Sequence, residues 1–124
     1  MKASRLSIIC VMLLVGCTHH YSRIELTGAY TLKVGHGTGI LVLKSDGSYI
    51  HTFQRSGGSS TTAEGHWKLE SLDAGPTVAL DDFHRLPGEV SGGAGYYLLP
   101  IESFFGEICL MTNEDNNECY VKRR

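Results

Sequence analysis

The feature that most constrains this chain is its punctuation. From Leu26 onward, short runs of strand composition are separated by Gly, Asn, Asp and Ser, and none of them sustains a 3.6-residue apolar period. Leu26–Leu32 alternates Leu26, Gly28, Tyr30 and Leu32 against small or polar neighbours, and Ile40–Leu43 is apolar on both faces. Ser45-Asp46-Gly47 then supplies the strongest turn in the chain, because an Asp-Gly pair reaches the positive φ of a tight hairpin at little steric cost. Ser48–Gln54 reads as the return strand, Ser56–Ser60 as a loop, and Thr61–Glu70 as a fourth strand with Trp67 and Leu69 on one side. Thr77–Leu80, Tyr96–Ile101, Phe105–Met111 and Cys119–Lys122 follow, and Pro100 places the sixth run at an edge or a bulge. About eight short strands with tight connections predict an all-β domain, either a small antiparallel barrel or a sandwich of the same strands.

The succession Leu41, Leu43, Asp46, Gly47, Tyr49 and then Gly65, Trp67 resembles small lipocalin-like β-barrel lipoproteins, in which such a hairpin precedes a Gly-x-Trp strand. The resemblance spans roughly residues 26–80. It implies a closed barrel; this chain is shorter than full lipocalins, which speaks against a roomy ligand cavity.

The N-terminus carries a different message. Lys2 and Arg5 precede an apolar stretch, Leu6 to Val15, that is short for a membrane span of about 20 residues and fits a secretory signal. It closes on Leu14-Val15-Gly16-Cys17, which resembles the lipobox of bacterial lipoprotein precursors. That resemblance implies a signal peptide over 1–16, a signal helix removed by cleavage before Cys17, and a lipid on the Cys17 thiol with the new amine acylated as well. Several acyl chains, at about 0.8 kcal/mol per buried CH₂, hold a protein far better than one. Thr18, not being Asp, implies sorting to the outer membrane, with the chain facing the periplasm. Residues 17–25 are expected to be a polar tether and 26–124 the β domain.

Removing Lys2 and Arg5 from the 11 Lys+Arg leaves 9 against 13 Asp+Glu, a formal charge of −4. With no basic stripe, nucleic acid is not an expected partner. Four cysteines reduce to two once Cys10 leaves with the signal and Cys17 is lipidated. Cys109 and Cys119 are expected to form a disulfide in an oxidising compartment. Direct opposition would place Leu110 across from Glu118 and make Asn113-Glu114-Asp115 a three-residue turn.

No Gly-x-Ser-x-Gly occurs, and Gly35–Gly39 lacks the Lys-Ser/Thr of a phosphate loop, so it reads as a flexible turn. His51 and His66 sit on neighbouring runs and, with Glu64, could offer zinc or copper ligands. Alternation instead sends both histidines to the solvent side opposite Trp67, so no metal or other cofactor is expected. His19 and His20 read as linker. Asp81-Asp82 with Glu89, and Asn113–Glu118, read as solvated acidic clusters. Of Tyr96, Tyr97, Phe104 and Phe105, alternation predicts one of each pair inward and the other exposed.

These readings favour a non-enzymatic, membrane-anchored binding module, its partner an envelope protein or a small apolar ligand. The alternative is an inhibitor or immunity lipoprotein that blocks a periplasmic hydrolase or toxin, with Phe83–Gly95 as the inserting loop. An enzyme is the least supported class.

Overall fold

Alternation decides which side chains of each strand share an interior, and in the computed structural model of the protein that interior is wrapped by a closed barrel. The structure describes residues 20–81, 96–113 and 118–122. A single helical turn, α1 (Arg23–Leu26), leads into β1 (Gly28–Val34), β2 (Gly37–Leu43), β3 (Ser48–Arg55) and β4 (Ser60–Leu72). There follow β5 (Gly75–Asp81), β6 (Tyr96–Phe104), β7 (Glu107–Asn113) and β8 (Glu118–Lys122). Each strand pairs antiparallel with the next in sequence, and β8 returns to β1 through Thr31↔Val121.

Two strands turn corners. β4 pairs with β3 over Ser60–His66 and with β5 over Trp67–Leu72. β6 pairs with β5 as far as Pro100 and with β7 from Ile101 onward. The choice between sandwich and barrel is thereby decided, because strands that change partner midway weld two sheets into one closed wall. Pro100 therefore does not mark an edge. It stands at the changeover, where a strand lacking one N–H is least disruptive.

The interior is filled by side chains. Tyr30, Leu32, Leu41, Leu43, Tyr49 and Trp67 come from the first four strands, and Val78, Leu80, Leu99, Ile101, Leu110 and Tyr120 from the rest. Leu26 plugs the end where β1 starts, and the Tyr30 hydroxyl donates to its carbonyl at 2.7 Å. The fold thus extends N-terminal to Leu26, which lies in α1 and not in a strand. Ser22 caps α1 in a reciprocal capping box with Glu25, and Tyr21 packs on the core. The last residues expected in the tether are therefore built into the fold.

Because every neighbour is antiparallel, α1 and the β2–β3, β4–β5 and β6–β7 turns share one rim, called here the N-terminal rim. The β1–β2 and β3–β4 turns share the distal rim. At the N-terminal rim, Asp46 accepts from the Ser48 backbone and hydroxyl, and Gly47 takes φ +89°. Those two donors hold the Asp46 carboxyl below its ordinary pKa. Trp67 locks this turn, donating its backbone N–H to the Gly47 carbonyl and its indole N–H to the Lys44 carbonyl, both at 2.8 Å.

Candidate functional site

Among the described residues, one histidine is buried in the barrel interior. His51 is inward and 4% exposed, a correction to its expected solvent position, because it alternates with Tyr49 and Phe53 on the inner face of β3. Its Nε2 lies 2.8 Å from the Tyr120 hydroxyl, and burial lowers its pKa to about 4, so the ring is neutral at physiological pH. Gly39 and Gly37 face this pair and Phe53. A Cβ on Gly39 would stand 2.8 Å from the Tyr120 hydroxyl, and one on Gly37 would stand 2.8 Å from the Phe53 ring. The run Gly35–Gly39 is therefore not simply a turn. Its last three residues are strand, and Gly37 and Gly39 make room for aromatic bulk.

His66 stands on the outer face, so the two histidines and Glu64 do not converge as metal ligands. Among the described residues, no group of three His, Cys, Asp or Glu side chains is placed to hold a metal. His66 instead meets Asp81, which accepts from its backbone N–H and lies 3.3 Å from its Nδ1. Ser48 is the cross-strand partner of His66, an outer-face grouping of Ser, His and Asp that sequence spacing does not reveal. The Ser48 hydroxyl is turned to Asp46 at 2.6 Å, and the His66 side chain is 81% exposed. A nucleophile needs its base within hydrogen-bond reach, and this hydroxyl is engaged elsewhere.

A hollow lies outside, along the seam where β8 meets β1. One part, of about 890 Å³, is bounded by Thr31 and Lys33 of β1 and by Glu118, Cys119 and Val121 of β8. An adjoining part, of about 400 Å³, shares Glu107, Cys119 and Val121 and extends over Cys109 and Met111 to Glu102 and Phe104. Its floor is apolar: Met111, Val121 and the Cys109–Cys119 bridge. The rim charges are Glu102, Glu107 and Glu118 against Lys33. A groove of this kind suits an extended segment carrying apolar and basic groups.

The disulfide is present, with sulfurs 2.03 Å and Cα atoms 5.6 Å apart, but not in direct opposition. Cys109 faces Val121 and Cys119 faces Met111, so the bridge joins diagonal neighbours on the outer wall. The expected pairing of Leu110 with Glu118 is corrected to Leu110 with Tyr120. Asn113 faces Glu118 after an irregularity past Met111, so the three-residue turn at Asn113–Asp115 is not formed as expected.

The aromatic cluster is also redistributed. Tyr97 packs on the core while Tyr96 is exposed under Lys68, as alternation predicts. Phe104 and Phe105 are both exposed, because Phe105-Gly106 forms the β6–β7 turn and not the start of β7. Cys17, the signal segment, His19, His84, Asp82, Glu89 and the Phe83–Gly95 loop lie outside the described residues. Compared with protein-family models, with curated proteins and with solved structures, the chain finds no match in any of the three.

Proposed function

We propose that this chain is a lipid-anchored envelope protein that binds a protein partner along the outer groove at the β8–β1 seam, without catalysing a reaction. The observation that carries the reading is the filled interior. Tyr30, Tyr49, Trp67 and Tyr120 occupy the space in which a lipocalin-like barrel would hold a small apolar ligand. What remains is the outer groove, with an apolar floor and a surplus of carboxylates that favour a basic, partly apolar segment. The Leu14–Cys17 pattern supports anchorage at Cys17, in the outer membrane facing the periplasm. The Phe83–Gly95 loop, on which the inhibitor alternative leans, lies outside the described residues, so no observation favours that alternative over docking.

The test is site-specific photo-crosslinking in the protein's own cells, with the probe at Val121 in the groove or at Ser56 on the distal rim. A discrete cross-linked protein from position 121 alone, lost when Glu107 and Glu118 are both changed to Lys, is the expected result. A small apolar molecule retained in native mass spectra of the extracted protein, with no cross-link at 121, would overturn it.

A further inference from the structure

We propose that the N-terminal rim of the barrel is a membrane-contact surface, with the Phe104–Phe105 hairpin tip dipping into the lipid headgroup boundary. The inference rests on the reading that Cys17 is lipidated.

The first argument is reach. Tyr21 packs on the core at this rim, and only four peptide steps separate it from Cys17. A fully extended chain covers at most about 3.6 Å per residue, so the rim is held within about 14 Å of the acylated residue. The barrel hangs on a short leash, and the leash leaves from one rim only.

The second argument is what that rim displays. Ile24 on α1 is 83% exposed, Leu72 before the β4–β5 turn 40%, Phe104 53%, and Phe105 stands wholly clear of the fold. These residues lie at three places on this rim, at α1, at β4–β5 and at β6–β7. Among the described residues the charges there are mixed, with Arg23, Lys44 and Lys122 against Glu25, Asp46, Asp73 and Glu107, so the contact proposed is apolar insertion. Aromatic and aliphatic side chains inserted about 5–10 Å into the headgroup and acyl boundary are the usual form of such contact.

The third argument is the backbone at the tip. Phe105 has φ +47° and Gly106 φ +82°, the two positive values of a type I′ hairpin turn. Asn, Asp or Gly normally fills the first of these positions, since a bulky residue there carries a steric penalty. A Phe is held in the costly conformation while its ring packs on nothing in the barrel, which points to a use outside it.

The experiment uses the full-length lipidated protein reconstituted in phosphatidylcholine vesicles, with and without bromine on the acyl chains. Phe105→Trp places a reporter at the tip, Ser56→Trp places one on the distal rim, and the parent protein, whose one Trp67 is buried, sets the baseline. Phe104→Trp serves if the first variant does not fold. The expected result is a blue-shifted emission at position 105 that bromine quenches, with position 56 unquenched. Absence of quenching at 105, or equal quenching at both sites, on protein whose Cys17 carries the acyl mass, overturns the membrane contact and leaves the anchor intact. Absence of the acyl mass itself removes the anchor reading, and this inference with it.

Discussion

The inward aromatics and the outward ones are built by different rules. Four inward rings are pinned by a polar tip, while Phe53, buried on β3, has none. Trp67 donates to the Lys44 carbonyl, Tyr30 to the Leu26 carbonyl, Tyr49 to the Asp81 carbonyl, and Tyr120 meets His51. Glycines on other strands make space for them: Gly39 against Tyr120, and Gly65, the cross-strand partner of Tyr49, against the Tyr49 ring. Phe104 and Phe105, which have no polar tip, are left in the open on a turn whose backbone does not suit them. Burial of the first group supplies stability, whereas the second group is displayed at some cost to it.

Substitutions can break this comparison. Trp67→Ala should have the largest effect, destabilising by about 3–5 kcal/mol in denaturant titration through lost burial and a freed β2–β3 turn. Phe105→Ala should not destabilise at all. Equal losses at the two positions would end the distinction.

Acid sharpens it next. His51 titrates near pH 4 in the fold and near 6.5 when unfolded, so between these values the unfolded chain binds more protons and stability rises with pH. The stability is full above about pH 6.5 and declines as pH falls towards about 4, by about 3 kcal/mol in all. His51→Gln should flatten that slope in thermal melts recorded across the window, and an unchanged slope would place the acid sensitivity elsewhere.

Gly39→Ala comes third, with a cost of about 1–3 kcal/mol, because its Cβ would crowd the Tyr120 hydroxyl. Relief by Tyr120→Phe in the double variant would show that the hydroxyl is the obstacle. The smallest effect has the opposite sign. Phe105→Asn should stabilise the protein by about 1 kcal/mol, since Asn tolerates positive φ, and a loss of stability would mean that the Phe ring serves the fold after all.

Much of the barrel was legible because its signals are local. The Asp46-Gly47 turn, the alternation of Tyr30 with Leu32 and the Trp67–Leu69 face each follow from a few adjacent residues and the two-residue period of a strand. The histidines were not legible in the same way. His51 reads as outside with His66, opposite Trp67, yet it shares its face with Tyr49 and Phe53, and Gly39 and Tyr120, from two other strands, create the niche that accepts a neutral imidazole. The disulfide shows both sides at once. Two leftover cysteines on successive strands predict the bond, while the irregularity after Met111 sets a diagonal register that no spacing rule contains.

By itself, then, the sequence determined an all-β chain of about eight strands, its hairpin at Asp46-Gly47, its cysteine pair, and a lipobox-like start. Composition, turn chemistry and period act within a few residues of each other and need no partner from elsewhere. Only the tertiary structure decided that the strands close, that large side chains occupy the interior while the groove lies outside, and that Phe105 sits on the same rim as α1. Closure depends on where β4 and β6 change partners, and shared space depends on side chains brought together from distant strands, which a pattern read along the chain does not encode.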